Sequence, residues 1–428
     1  MRLGAWFAMG VVGFGLGLAG CDWRDFDNLQ AQAPVLSVGP PSGFATSNDF
    51  GGVVLALSSP SDGSAAARFL ATAVDTTGLA LVDLDATGKA SSQNITSGVL
   101  DSLGNEPLTA MAEIPLAGEV LLGSPALSGG TLLTLNLTTL VVSQFVFAAE
   151  PQFAMGVAAG SLGGTAAPDF VAVSGSAVHV FLDGASSPDL VAADSAACPL
   201  AVSTSLPSSE RINRAVVIGT LTGAGAQIIV GTPALSGGGS VSFFTVDATA
   251  GTVTCAQRLT AAESQFGQAV AIGDFDGDGV SDLLVGAPPS HAYLYKGPIA
   301  PGAAPTATIT DASTGGAFGA ALVALNLDGE PGDEALIADP EATVGGQMRA
   351  GNVLVFSGPA LATKGTTTLA AHDPSSGEAY GSALGALPFC ATMPCPASPP
   401  RLPLVGAAAQ VFTYFDLGLG STTDPRAK

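Results

Sequence analysis

Residues 266–298 read FGQAVAIGDFDGDGVSDLLVGAPPSHAYLYKGP. Short apolar runs alternate here with turn residues, which predicts a strand over 268–272, an acidic loop over 274–282, a second strand over 283–286 and a third over 292–295. Pro288 marks a turn, and Gly297-Pro298 closes the unit. No helical spacing of apolar residues occurs in it. The segment therefore predicts one small sheet of short strands.

The same frame recurs along the chain. Phe318 opens a second clear copy, FGAALVALNLDGEPGDEALIADP, which is followed by NVLVFSGP. Asp274 and Asn326 each stand eight residues after the phenylalanine of their unit, and Asp282 and Glu334 stand a further eight residues on. Weaker copies begin near residues 50, 108, 153, 212 and 380. The chain therefore contains seven repeated units.

Seven units of this length predict a ring. Each unit has room for four strands but cannot bury both faces of its sheet alone, whereas a closed ring buries them and removes exposed sheet edges. The last unit ends at 411–415 without an outer strand, and Val35–Val38 precede the first unit. We therefore predict an all-β, seven-bladed β-propeller over residues 35–418, in which the N-terminal strand completes the last blade. The rival fold, an elongated array of β-sandwiches, does not account for the in-register spacing.

The fifth unit carries a family signature. Phe266-Gly267, followed by Gly286-Ala287-Pro288 around an acidic loop, resembles the FG-GAP repeat of integrin α-subunit propellers and of bacterial surface proteins. The resemblance extends over nearly all of the chain after its leader, and the sixth unit matches the signature nearly as well as the fifth. It implies a calcium-binding propeller that serves in cell adhesion or protein interaction, with an unknown protein or cell-surface ligand on one rim of the ring.

The acidic loop has the composition of a calcium site. Oxygen ligands are available from Asp274, Asp276, Asp278, the backbone carbonyl of Val280, and Asp282. Gly277 and Gly279, on either side of Asp278, permit the positive φ angles that a tight curl needs. An all-oxygen shell suits Ca²⁺ better than zinc, and the apolar strand that follows argues against an EF-hand. The alternative is a solvated Asp-Gly turn that holds no ion.

The sixth unit offers a weaker second site. Its equivalent residues are Asn326, Asp328, Glu330 and Glu334. Glu330 is longer than aspartate, Pro331 stiffens the turn, and Asp333 intrudes into the loop. The other units lack an acidic first ligand, so no ion is expected in them.

The N-terminal sequence predicts where the protein is located in the cell. Arg2, an apolar run and the small residues before Cys21 are typical of a signal peptide over residues 1–20. The segment Leu18-Ala19-Gly20-Cys21 resembles the bacterial lipobox, which implies a lipidated Cys21 and an extracytoplasmic protein anchored in the bacterial cell envelope. Residues 22–34 are then a linker and 419–428 a tail. Asp22 leaves open which membrane holds the anchor, and an ordinary signal peptide with a chance cysteine is the alternative.

The net charge of the chain limits its classes of partner, and its cysteine content indicates its compartment. A formal net charge of -22 argues against nucleic acid and favours cations. Four further cysteines fit an oxidising compartment, with Cys390 and Cys395 as a local pair and Cys198 and Cys255 as a second candidate pair. A metal site at the local pair is disfavoured because no second ligand pair lies near it in sequence.

No catalytic motif is present in the sequence. The chain has 3 histidines without an accompanying nucleophile motif, and it lacks a phosphate loop and a dinucleotide fingerprint. The favoured hypothesis is a monomeric, non-enzymatic adhesion or protein-interaction module. The alternative is an extracellular enzyme or carbohydrate-binding protein with its site at the channel mouth, which would need paired acids or an aromatic platform, and the chain is poor in aromatic residues.

Overall fold

The computed structural model describes residues 35–415, apart from 45–49, 59–62, 74–76, 105, 127–128, 164–166, 185–188, 201–213, 224, 234–237, 264, 312–315, 358–360, 362, 372, 391–394 and 396–398. The predicted signal peptide, Cys21, the linker and the tail lie outside the described residues. Among the described helices, none is long and apolar enough to cross a membrane.

The described residues form seven antiparallel sheets of four strands each. Blades one to four contain, in order, β2 (Phe50–Leu57), β3 (Ala67–Ala73), β4 (Leu79–Leu84), β5 (Ala90–Asn94); β6 (Ala110–Ile114), β7 (Glu119–Ala126), β8 (Gly129–Asn136), β9 (Val142–Ala148); β10 (Gly156–Gly160), β11 (Asp169–Val173), β12 (Ala177–Phe181), β13 (Asp189–Ala193); and β14 (Val216–Gly219), β15 (Gln227–Thr232), β16 (Ser240–Asp247), β17 (Thr252–Thr260). A short helix, α1 (Gly98–Ser102), joins the first two blades.

Blades five to seven complete the set. They contain β18 (Val270–Gly273), β19 (Asp282–Ala287), β20 (His291–Tyr295), β21 (Ala307–Thr310); β22 (Leu322–Leu325), β23 (Glu334–Asp339), β24 (Asn352–Ser357), β25 (Thr363–Leu369); and β26 (Ala383–Pro388), β27 (Arg401–Gly406), β28 (Val411–Tyr414) with β1 (Val35–Val38).

The sheets close into a ring. The first strand of each blade contacts the first strand of the next, and β26 contacts β2 to complete the circle. β1 pairs antiparallel with β28, with Val35 opposite Tyr414 and Val38 opposite Val411. The prediction of a seven-bladed propeller whose N-terminal strand closes the last blade is confirmed. Strand β18 begins at Val270 rather than at residue 268, because the N–H of Gln268 donates to the carbonyl of Gln265 and so belongs to the turn that precedes the strand.

The hydrophobic cores lie between neighbouring blades. Phe266 packs among residues of blades four and five, and Phe318 packs among residues of blades five and six. Tyr380 takes the same place between blades six and seven. The aromatic residue that opens these units therefore fills the gap between two sheets, which neither sheet could bury alone.

Two glycines of the signature meet across a blade boundary. A Cβ atom on Gly286 of blade five would lie 2.0 Å from the carbonyl oxygen of Gly319 in blade six. Gly319 itself has a φ of 93°, which a side chain would strain. The same contact joins Gly231 to Gly267, again at 2.0 Å. At these two boundaries backbone packs directly on backbone, which leaves no room for a side chain on Gly286 or Gly231.

Disulfides join both candidate cysteine pairs. Cys198, beyond the outer strand of blade three, is bonded to Cys255 in β17 of blade four, with their Cα atoms 5.9 Å apart. Cys390 and Cys395 form a local bridge with a Cα separation of 5.3 Å. The first bridge fastens the outer edges of two neighbouring blades, and the second closes a short loop in blade seven.

Candidate metal centre

The acidic loop of blade five joins β18 to β19. One ligand oxygen from each of Asp274, Asp276 and Asp282 can be chosen so that all three lie within 4.8 Å of one another. Asp282 is buried at the start of β19, and the other two are partly buried. The structure therefore brings three of the predicted ligands to one point. Among the described residues no other group of three or more Asp, Glu, His or Cys side chains converges in this way.

Asp274 organises the curl of this loop. The backbone N–H of Asp278 donates to Asp274 Oδ1 at 3.1 Å, and that of Gly279 donates to Asp274 Oδ2 at 2.8 Å. Gly277 and Gly279 have φ angles of 74° and 82°, as the curl requires. Phe275, which follows the first carboxylate, is buried and anchors the loop in the core between blades five and six.

Asp282 fixes the other end of the loop. Its Oδ2 accepts the N–H of Phe275 at 3.1 Å, and its Oδ1 accepts the N–H of Gly297 at 2.9 Å. Burial raises the pKa of Asp282, the charges of Asp276 and Asp278 raise it further, and the two backbone hydrogen bonds oppose the rise. Its ionised form is thus costly unless positive charge lies nearby.

Asp278 and Val280 lie farther out. Asp278 Oδ1 accepts the N–H of Val280 at 2.8 Å, and both residues are exposed. Asp278 is not part of the converging group. A ligand role for these two residues stays a prediction.

A cation of the protein itself already lies against the loop. Lys296, directly after β20, contacts Asp276 Oδ2 through Nζ, which also lies 3.7 Å from Asp278 Oδ2. The hydrogen bond to Asp276 and the nearby carboxylate charges raise the pKa of Lys296 against the opposing effect of burial. The oxygen-only donor set has the chemistry that a hard divalent cation requires, and the ammonium group of Lys296 occupies the place of a counter-ion beside it.

The loop of blade six is built differently. The side-chain amide of Asn326 donates to the carbonyl of Gly332 at 3.0 Å and to that of Glu330, while its oxygen accepts the N–H of Gly329 at 2.7 Å. An amide donor therefore occupies the centre of the curl. Asp328, Glu330 and Glu334 do not converge as the aspartates of blade five do, and calcium binding by this loop stays a prediction.

An acidic residue at the start of the second strand fixes the preceding loop in several blades. In blade three, Asp169 Oδ2 accepts the N–H of Leu162 at 2.7 Å and its Oδ1 accepts the N–H of Asp183 at 2.9 Å. In blade six, Glu334 accepts the N–H of Leu327 at 2.7 Å. This residue therefore fixes the loop in blades without a converging group, and Asp282 does the same in blade five.

Sequence reasoning missed Lys296 as a neighbour of the acidic loop. The residue stands outside the loop in sequence, and the pairing of Leu283 with Tyr295 brings it alongside. An alignment of the apolar residues of β19 with those of β20 could have given this register. Asp282 precedes Leu283 and Lys296 follows Tyr295, so the two lie side by side when Leu283 and Tyr295 pair. Nothing in the loop's own sequence signals this contact.

His179 belongs to a separate polar cluster. Its Nε2 lies 2.7 Å from Glu150 Oε2, and Glu150 also accepts hydrogen bonds from the hydroxyls of Ser174 and Ser176. Burial alone would raise the pKa of Glu150, but the hydroxyls and His179 lower it overall. The ring of His179 packs edge-on against Phe153, with centroids 5.1 Å apart. Glu150 lies in the connection between blades two and three, and His179, Ser174 and Ser176 belong to blade three. The cluster therefore holds the two parts together, and His179 has a structural role in it.

Comparisons with known proteins agree with this architecture. The family described as FG-GAP repeat matches residues 266–297. Human integrin alpha-IIb is 33% identical over 138 residues, which cover 28% of this chain and 13% of that protein. Human phosphatidylinositol-glycan-specific phospholipase D is 32% identical over 111 residues, 23% of this chain and 13% of that protein. The match thus spans about an eighth of the length of each relative.

Solved structures with a similar course of the chain were also found. The β-propeller domain of Myceliophteria thermophila Cps50 (Swd1) has a TM-score of 0.45 at 12% identity, covering 83% of this chain and 97% of that one. A chain of the nidogen/laminin complex has a TM-score of 0.43 at 11% identity, covering 71% and 94%.

Proposed function

Since this chain is a seven-bladed β-propeller of the FG-GAP repeat family, we propose that it is a non-enzymatic interaction or adhesion module that calcium stabilises. The observation that carries the proposal is the convergence of Asp274, Asp276 and Asp282 in the loop of the blade that bears the family signature. In this proposal, lipid on Cys21 holds the propeller on the extracytoplasmic side of a bacterial membrane.

Calcium fits the loop through charge and donor chemistry. Two unit charges 4 Å apart interact by about 4 kcal/mol in a partly solvated protein environment, so three converging carboxylates repel one another strongly. A bound Ca²⁺ would cancel that repulsion and tie the two ends of the loop together. Asp274 and Asp276 would supply ligand oxygens from the curl and Asp282 from the strand. The ion's role is then structural.

The interaction role follows from the architecture. A closed ring of sheets presents rigidly held loops on its two faces, and binding residues are commonly found on such loops. A net charge of -22 disfavours nucleic acid, and the likeness to integrin propellers favours a protein or cell-surface ligand as the partner. The described residues contain one converging group of three acids, and backbone N–H groups near that loop bind the carboxylates of Asp274 and Asp282. This supports a structural role for these acids over a catalytic one.

The extracytoplasmic location has two supports. The bonds Cys198–Cys255 and Cys390–Cys395 are of a kind that persists in oxidising compartments. The leader segment, with Cys21 after small residues, is the second.

The first test is a calorimetric titration of the full chain with CaCl₂. We expect saturable binding that Asp276→Ala abolishes and that Asp85→Ala, at an exposed turn of blade one, leaves unchanged. A calcium concentration one hundred times the Kd should also stabilise the fold by about 2.7 kcal/mol. Absence of binding by the unmodified chain would contradict the calcium role.

The second test addresses the interaction role. Cells that display the full chain would be measured for adhesion to immobilised extracellular proteins, in calcium and in EDTA, beside cells that display Asp276→Ala. Adhesion that depends on the chain and weakens in EDTA supports the proposal. Adhesion no greater than that of cells lacking the chain contradicts it.

A further inference from the structure

Lys296 is held beside the acidic loop by its own turn. Its backbone N–H donates to Thr306 Oγ1 at 3.3 Å, and the next N–H, that of Gly297, donates to Asp282 Oδ1 at 2.9 Å. The preceding residue, Tyr295, pairs with Leu283. The Cα of Lys296 therefore has a fixed place next to the first residue of β19, and only its side chain is free to move.

The ammonium group takes the position of a counter-ion. It contacts Asp276, whose side chain is only 8% exposed, and lies near Asp278, whose side chain is 41% exposed. The lysine side chain is itself 43% exposed. It therefore covers the outer side of the loop and can swing into solvent without disturbing the core.

Blade five carries a positive charge at a position where blades three, four and six carry none. Strand registers place Leu182 of blade three, Thr245 of blade four and Ser357 of blade six at the equivalent point, because Phe181, Phe244 and Phe356 pair as Tyr295 does. The whole chain has 13 Lys and Arg against 35 Asp and Glu. The lysine thus stands where three aspartates converge, while neutral residues stand beside the corresponding loops of blades three, four and six.

Lys296 and a divalent cation compete for Asp276. Both would approach the same carboxylate, and the two positive charges would repel each other. Since the proposed calcium site uses Asp276, the ammonium opposes binding of the ion for as long as it stays at this carboxylate.

We infer that Lys296 is an internal competitor of calcium, which neutralises the loop in the absence of the ion and sets the affinity when the ion binds. This inference rests on the proposed calcium site and adds a residue that tunes it. It predicts that a substitution which removes the charge of Lys296 has opposite effects on two quantities. The stability of the ion-free fold falls, and the affinity for calcium rises.

The test uses the full chain with Lys296→Gln. Calorimetry should give a calcium Kd about fivefold lower than that of the unmodified chain, equivalent to about 1 kcal/mol. The Tm of the variant should be lower in EDTA, and the difference should vanish in saturating calcium. Lys89→Gln, an equal change of charge in an exposed turn of blade one, should alter neither quantity.

Each result of the calorimetric comparison either supports or overturns the inference. A lower Kd in Lys296→Gln than in the unmodified chain supports the inference, and binding seen only in the variant overturns the calcium role of the unmodified chain. An equal or higher Kd overturns it and leaves the calcium proposal standing. No binding by either protein overturns both.

Discussion

The backbone N–H of Asp333 in blade six donates to the carbonyl oxygen of Asp274 in blade five at 2.7 Å, and Asp333 Oδ2 accepts the N–H of Asp274 at 3.0 Å. The loops also pack closely, since a Cβ on Gly277 would lie 3.0 Å from the carbonyl oxygen of Pro331. The two neighbouring loops are thus joined at the first predicted ligand. Order imposed on one loop by an ion would extend to the other.

Asp333→Ala tests this link. Loss of the acceptor leaves the N–H of Asp274 without its partner, which should cost about 1 kcal/mol of unfolding free energy and lower calcium affinity several-fold. Denaturant unfolding and calorimetric titration measure the two effects. Asp333→Asn keeps an acceptor oxygen, so it should retain most of the stability. An unchanged Kd in Asp333→Ala would show that the loops act independently.

The ring itself could be predicted from the sequence because its information is repetitive. Phe266, Phe318 and Tyr380 open units in the same frame, and each fills the gap between two sheets. The missing outer strand of the last unit and the spare strand at 35–38 predicted the closure. Each inference needed only short-range patterns and the requirement that both faces of every sheet be buried.

The site was harder to predict because its contacts cross between strands and blades. Asp333 looked like an intruder in its own loop, but it binds the loop of the neighbouring blade. Asn326 looked like an oxygen ligand, yet its amide group donates to carbonyls. The position of Lys296 depends on a strand register. The spacing of residues within one loop does not predict any of these contacts.

The disulfide between blades three and four should contribute more stability than the local bridge. A crosslink mainly restricts the unfolded chain, and the chain-entropy relation gives about 4 kcal/mol for Cys198–Cys255, whose residues are 57 apart, but about 2 kcal/mol for Cys390–Cys395, which are 5 apart. Denaturant unfolding of the two double-alanine variants under oxidising conditions measures the difference. Equal losses, or a larger loss for the local pair, would contradict this order.

Glu113 in blade two should make stability depend on pH. Its carboxylate accepts the N–H of Ser58 at 3.0 Å and the hydroxyl of Ser58 also at 3.0 Å, yet burial outweighs these bonds and raises the pKa above its ordinary value of 4.5. A raised pKa in the folded state means that the folded chain holds the proton more tightly. The contribution of Glu113 to stability is therefore present below pH 4.5 and is lost as pH rises through the raised pKa.

Glu113→Gln removes this titration. We expect the unfolding free energy of the unmodified chain, taken relative to that of the variant, to fall as pH rises through this window. Denaturant unfolding at a series of pH values gives the difference, and Asp101→Asn, at an exposed position of α1, provides the control. A difference that grows with rising pH would contradict the assignment.

Gly286→Ala tests the contact between blades that gives the signature its glycines. The added methyl group would lie 2.0 Å from the carbonyl oxygen of Gly319, a backbone atom that cannot rotate away. At the next boundary Ala338 occupies the equivalent position, and Gly381 faces it there, so the ring can widen to accept one methyl group. The expected cost is therefore about 2 kcal/mol of unfolding free energy, typical of overpacking, rather than loss of the fold. Gly98→Ala, at a position with open space around it, should change stability by far less in the same denaturant unfolding measurement. Equal stability of the two variants would mean that blades five and six do not pack backbone to backbone at this point.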